Sequence, residues 1–241
     1  MKYALTADYH THTIFSHGSG TIRDNVMAAR EKGLKEIGIT EHGPGSPGYG
    51  IHLNDVPEMR KQIEELNKEF PDIRIYLGVE ANLKESPNGL DIAKEDLSLF
   101  DYVTAGYHFG VIGANDGVNF WTFGKGIRKP SVIAANMDMT LKALYENDLK
   151  ILTHPGFKAF FDMEELAKAC AETHTLMEIN VLHNGLDIQN LEICAKSDAR
   201  FVISSDAHDP ADVGRLDRAL ERAEAAGLDL SRIVNLKKLE G

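Results

Sequence analysis

Leu5-Thr6-Ala7-Asp8-Tyr9-His10-Thr11-His12 condenses into eight residues the pattern on which the chain is built: a short apolar strand running out into paired imidazoles. Residues i and i+2 of an extended backbone point to the same side, so His10 and His12 share a face, and His17 follows in the same loop. The unit recurs. His42 follows a strand at 36–40, Glu80 ends one at 73–80, His108 ends one at 102–107, and His154 ends one at 150–153. A strand at 176–181 precedes the last, 201–204, which runs into Asp206-Ala207-His208. Helical spacing or composition marks 22–32, 56–70, 92–99, 131–147, 162–172, 187–196 and 210–226, with Thr21 and Asp209 as caps. Strand and helix thus alternate seven times, which predicts parallel strands with helices outside, in a closed or nearly closed barrel forming one domain over 1–241.

In a parallel barrel the carboxyl ends of the strands share one mouth. His10, His12, His17, His42, Glu80, His108, His154, Asp206 and His208 would therefore converge there. A single histidine at a strand end is most often a hydrogen-bonded core or surface residue; the periodic recurrence is what sets this group apart. Seven imidazoles and two carboxylates make a poor core, because each buried unpaired polar group costs several kcal/mol. Divalent ions resolve that cost. Imidazole with carboxylate suits Zn, Fe or Mn, and nine ligands are too many for one tetrahedral ion, so two or three ions are expected. His52, His174 and His183 fall outside the pattern and read as surface or structural residues.

Composition narrows the function. Lys and Arg number 26 against 37 Asp and Glu, a formal charge of −11, which disfavours a nucleic-acid coat or an anionic-membrane binder. Cys170 and Cys194 form no CxxC pair and read as core residues of a reducing compartment. Neither an export signal nor a membrane-length apolar run is visible, so a cytoplasmic location is expected. The chain also lacks a G-x-S-x-G elbow and a G-x-x-x-x-G-K-[ST] phosphate loop. Two long loops, 43–50 and 109–129, are expected to face the substrate, with Tyr49 or Trp121 covering its apolar part.

Asp8-Tyr9-His10-Thr11-His12 with His17, Thr40-Glu41-His42-Gly43, Gly78-Val79-Glu80-Ala81-Asn82, Tyr107-His108, His154-Pro155-Gly156, Glu178-Ile179-Asn180 and Ser205-Asp206-Ala207-His208 together resemble the PHP superfamily, named for polymerase and histidinol phosphatase. The resemblance implies a distorted seven-unit β/α barrel with a trinuclear metal cluster. It assigns one ion to His10, His12, Glu80 and Asp206, a second to His108 and His154 with Glu80 bridging, and a third to His17, His42 and His208. A water bridging two such ions loses its proton near neutral pH and attacks phosphorus in line, so Glu80 and Asp206 serve catalysis through that hydroxide.

The activity so implied is hydrolysis of a small phosphorylated metabolite, a phosphomonoester as in histidinol phosphatase. Lys125, Arg128, Lys129 and Lys158 are candidates to receive phosphate oxygens. The same cluster would also suit a phosphodiesterase or 3′-5′ exonuclease, against which the acidic charge argues. A non-catalytic metal-binding module predicts broken ligands, and an amidohydrolase fits the motif order less well.

Overall fold

The computed structural model describes residues 2–239. Seven parallel strands form one sheet in sequence order: β2 (Ala7–Asp8), β3 (Glu36–His42), β4 (Arg74–Asn82), β5 (Tyr102–Gly106), β6 (Leu149–Leu152), β7 (Leu176–Asn180) and β8 (Phe201–Ser204). A separate antiparallel pair joins β1 (Tyr3–Leu5) to β9 (Leu236–Lys238). Helices α1 (Ile22–Glu31), α2 (Val56–Glu69), α4 (Pro130–Glu146), α5 (Met163–Glu172), α6 (Ile188–Cys194) and α7 (Asp217–Ala225) are amphipathic or partly so. They bury residues such as Val26, Met59, Ile63, Leu166 and Leu191. Thr21 and Asp24 close a capping box at the start of α1, and Asp162 and Asp187 cap α5 and α6. No described helix is long and apolar enough to cross a membrane. Both cysteines are buried and free.

The sheet is nearly a closed barrel. Its two edges, β2 and β8, meet through one parallel bridge, Thr11 to Ala207, and side chains span the rest of the seam. Asn235 Nδ2 donates to Ala7 O at 2.8 Å and to Ile203 O at 2.7 Å, while its Oδ1 accepts from Ile203 N at 3.1 Å. The amide stands in for a missing stretch of ladder. Asp8 works from the other edge: its carboxylate accepts from Ser205 N at 3.2 Å and Gly214 N at 2.7 Å. At the opposite end, Tyr9, Tyr76 and Tyr102 surround the Lys150 ammonium, which lies 4.0 Å from the centre of the Tyr9 ring.

Four expected elements differ. The strand expected at 5–8 splits at Thr6, whose N–H turns to Asn235 O at 2.9 Å. The helix expected over 92–99 is a 3-10 turn, Lys94–Leu99, too short and polar to sustain an α-helix. The helix expected over 210–226 is interrupted: Pro210–Asp212 is a 3-10 turn, Gly214 takes φ +71° to aim its N–H at Asp8, and α7 begins at Asp217. Within the 109–129 loop lies a further helix, α3 (Asp116–Gly124). Its polarity is inverted, since it buries Asn119 and Thr122 and exposes Val118, Phe120 and Trp121.

Asn235→Ala removes three buried hydrogen bonds and leaves two carbonyls and an N–H unpaired at the seam. Urea unfolding should show a loss of about 3 kcal/mol. A loss below about 1 kcal/mol would mean that the seam is held elsewhere.

Candidate metal centre

Each strand end delivers its side chain to the mouth. His10 and His12 stand beyond β2, His42 ends β3, Glu80 lies in β4, His108 follows β5, His154 follows β6, and Asp206 and His208 follow β8. Glu80 is at the centre. Its Oε2 lies 2.9 Å from His42 Nδ1 and 3.3 Å from His10 Nε2; its Oε1 lies 2.8 Å from His154 Nε2 and 3.5 Å from His108 Nε2. Asp206 Oδ1 sits 3.2 Å from His12 Nε2 and 3.5 Å from His10 Nε2. His17 reaches in from its loop, with its ring 4.3 Å from that of His208 and 4.7 Å from that of His42.

Three overlapping sets, His10–His12–Asp206, His42–Glu80–His108 and His12–His42–His208, each bring one donor atom per residue within 4.8 Å of the others. Their bonding is incomplete without a further partner. Both ring nitrogens of His42, Nδ1 of His12 and of His154, and Oε2 of Glu80 are buried with no hydrogen bond, although His42 Nδ1 and Glu80 Oε2 are only 2.9 Å apart. Such groups cost roughly 1–3 kcal/mol each when left so. Of these, Glu80 Oε2 and His42 Nδ1 face the cluster, where a divalent cation would satisfy their lone pairs, and the nitrogen and oxygen donor set fits Zn, Fe or Mn.

The ligands are themselves held. Glu178 Oε1 lies 2.7 Å from His10 Nδ1, which keeps the proton on that nitrogen and turns Nε2 to the mouth, and Glu178 Oε2 accepts from His154 N at 2.7 Å and Asn180 Nδ2 at 2.8 Å. Asn180 Nδ2 also donates to Asp206 Oδ2 at 3.1 Å, and Thr153 donates to Glu80 Oε1 at 2.7 Å. Glu41 ties down the His17 loop by accepting from Thr13 N and the hydroxyls of Thr13 and Ser16. His154 and Asp206 adopt φ +31° and +54°, a strained backbone at two of the converging side chains. The sequence assigns Glu178, Asn180, Thr153 and Glu41 no role of their own; Glu41, Glu178 and Asn180 stand in the stretches that carry the family resemblance, and Thr153 only beside a candidate ligand.

Electrostatics follow from the crowding. Burial opposes ionisation of Glu80, and the His10 and His108 imidazoles outweigh it, holding the carboxyl well below its usual range. Asp206 is likewise lowered, with burial overcome by His10 and His12. Burial, with neighbouring imidazoles, pushes His12 and His108 well down and His17 to about 4. For His10 burial is overcome by Glu80, Asp206 and Glu178, which push it up.

His183, expected to lie outside the site, lines the same cavity: its ring stacks on Phe157 at 3.9 Å and its Nε2 is 3.4 Å from Asp206 Oδ2. Burial and His154 lower it to about 4. His52 and His174 are exposed, as expected. The cavity, about 380 Å³, is also lined by Tyr49, Leu182 and Lys158. Lys125, Arg128 and Lys129 are not among the lining residues. Lys125 Nζ lies 4.1 Å over Trp121, itself 62% exposed, and the Arg128 guanidinium lies 4.7 Å over Phe160.

The model of the PHP domain matches residues 8–180, more than half of the chain. The chain belongs to the PHP domain family. It resembles a probable phosphatase of Shewanella sp. strain MR-4, 30% identical over 98% of this chain and 88% of that one. A probable phosphatase of Acetivibrio thermocellus is 28% identical over 98% and 92%. The fold is shared with histidinol phosphate phosphatase from Lactococcus lactis, solved with zinc, L-histidinol and phosphate. The TM-score is 0.64 at 19% identity, covering 92% of this chain and 94% of that one. This PHP domain is thus a metal-dependent phosphoesterase, with its histidine and acid clusters at the barrel mouth.

In the metal-free PHP domain, His12, His17, His108 and His183 resist protonation when folded but accept protons near pH 6.5 when unfolded. Between pH 6.5 and about 4 the unfolded chain therefore binds more protons at these four sites, and stability falls as pH falls; His10 acts in the opposite sense. Melting temperatures of chelator-treated protein should drop across that window. A flat profile would contradict this arrangement of neutral imidazoles.

Proposed function

We propose that the chain hydrolyses small phosphomonoesters, in the manner of histidinol phosphatase, on three ions of Zn, Fe or Mn. The observation that carries this reading is Glu80, whose two oxygens face different imidazole groups, Oε2 toward His42 and His10 and Oε1 toward His154 and His108. In this reading His10, His12, Glu80 and Asp206 hold one ion; Glu80, His108 and His154 hold the second; and His17, His42 and His208 hold the third. Ions held by these residues would supply hydroxide near neutral pH and positive charge for the phosphoryl oxygens.

The protein's own groups do the rest. Glu178 keeps His10 in the tautomer that presents Nε2. Lys158, the one ammonium lining the cavity, lies between the Phe109 and Phe157 rings, 5.8 and 5.1 Å away, and takes a non-bridging phosphate oxygen. Its ammonium is half-buried and its backbone sits at φ +64°, so the charge is positioned rather than free in solvent. Lys125, Arg128 and Lys129, which do not line the cavity, take no phosphate oxygen in this scheme. The released alcohol rests against Tyr49, Leu182 and the His183–Phe157 stack. A cavity of about 380 Å³ and a charge of −11 favour a small monoester over a polynucleotide.

Elemental analysis of metal-loaded protein should give more than one ion per chain, and Glu80→Gln should lose at least about a hundredfold in kcat. Lys158→Met should raise KM more than it lowers kcat, as expected for lost phosphate binding. Assayed at matched salt and metal, a panel of monoesters including histidinol phosphate should outpace a single-stranded oligonucleotide in kcat/KM. Faster cleavage of the oligonucleotide would replace this reading with a nuclease.

A further inference from the structure

Asp91 lies outside every strand and is half-buried against the 43–50 loop, 3 Å or less from three donors. Its Oδ1 accepts from Asn82 N at 2.8 Å, and its Oδ2 accepts from Asn82 Nδ2 at 2.5 Å and from Gly45 N at 2.8 Å. The fit is close. A Cβ at Gly43 would meet the carboxylate at 2.5 Å and one at Gly45 would meet it at 2.9 Å, so the loop can pass only because both positions lack a side chain. Burial pushes the Asp91 carboxyl up, and the hydrogen bonds from Asn82 and Gly45 act against that.

The chemistry of Asn82 makes this contact directional. A side-chain amide has one accepting and one donating end, and a carboxylate can only accept. Asp91 has the shortest of the contacts to Nδ2, which also donates to Ser46 Oγ at 2.9 Å and Gly43 O at 3.4 Å; it thereby fixes Asn82 with Nδ2 turned inward and Oδ1 turned to the mouth, where it lies 2.8 Å from His108 Nδ1. An oxygen at that point requires Nδ1 to carry the proton. His108 Nε2 is then left with a lone pair, facing Glu80 Oε1 at 3.5 Å.

We infer that Asp91 is a positioning residue: through the amide of Asn82 it sets the tautomer of His108 and so makes its Nε2 a metal ligand. The same carboxylate holds Gly45 in the loop that carries Tyr49 to the mouth, so the loop and the ligand share one anchor. The inference rests on the metal-site reading for its second half only, since the tautomer is a property of the metal-free chain.

Asp91→Asn is nearly the same size and tests the direction. An amide at position 91 can meet Asn82 with its own NH2, which lets Asn82 rotate and present Nδ2 to His108. Long-range proton–nitrogen NMR of the histidine rings in metal-free protein should show His108 protonated at Nδ1 in the wild type, with the Nε2-protonated form appearing in Asp91→Asn. Chelator competition with zinc should show the affinity for one ion falling roughly 10- to 100-fold in Asp91→Asn. Asn82→Ala should cost the same, and the double variant no more than either alone, because the two act in series. A merely structural role would lower the melting temperature without moving the tautomer. An unchanged His108 tautomer in Asp91→Asn, or losses that multiply in the double variant, would overturn the inference. If Asp91→Asn does not fold, Asn82→Ala alone carries the zinc expectation, and an unchanged affinity there overturns it equally. If the wild type binds no zinc while Asp91→Asn still shifts the His108 tautomer, the metal reading fails and the relay from Asp91 to His108 stands.

Discussion

The seam between β2 and β8 is the constraint on which the metal centre depends. A parallel sheet of seven strands can lie open, with its first and last strand ends far apart, or curl until they meet. Here the backbone supplies one parallel bridge, Thr11 to Ala207, and a hydrogen bond from Ser19 N to His208 O, and the side chains of Asp8 and Asn235 reinforce the join. Because the sheet closes, His10 and His12 face Asp206 across the join, with His12 Nε2 3.2 Å from Asp206 Oδ1. Unclosed, the chain would hold two incomplete groups of donors.

The mouth that results is unfavourable for a protein without ions. Its carboxylates are buried, its imidazoles stack against one another, and several donor atoms have no partner. The surrounding structure opposes collapse of this arrangement. Glu178, Asn180, Thr153 and Asn82 each fix one orientation, and Glu41 fixes a loop. Such neighbours cannot be replaced by apolar residues of the same shape without freeing a ligand to rotate, which is why the polar layer extends beyond the atoms that face the centre.

How much of this is readable in the chain depends on how local the cause is. The seven strands are legible because β-branched and apolar runs such as Ile37-Gly38-Ile39 and Phe201-Val202-Ile203 carry their own signal, and the candidate ligands are legible because each stands at the end of such a run. The seam is not, because Asn235 is an ordinary polar residue near the end of the sequence until the fold sets it between two strands. Helix α3 is hidden by its inverted polarity, which defeats any reading based on an apolar stripe facing the core. Glu178 stands in a stretch that carries the family resemblance, yet only the side of the sheet on which its neighbours gather reveals what it holds. The basic residues divide the same way: Lys125, Arg128 and Lys129 cluster in sequence, yet the cavity is lined by Lys158.

The dependence on Asn235 also sets an order of events during synthesis. Its amide bonds to Ala7, 228 residues earlier, and His12 meets Asp206 across 194 residues, so contacts of very high sequence separation must form last. At ordinary translation speeds the interval between making His12 and making Asp206 is on the order of ten to forty seconds. For that time the growing chain displays His10, His12, His17, His42 and then Glu80 without the partners that complete their coordination. A cation captured early would be held by a partial and mobile set, with whichever geometry the fragment allows. The mouth therefore takes its final shape only at the end of translation, when the last strand docks.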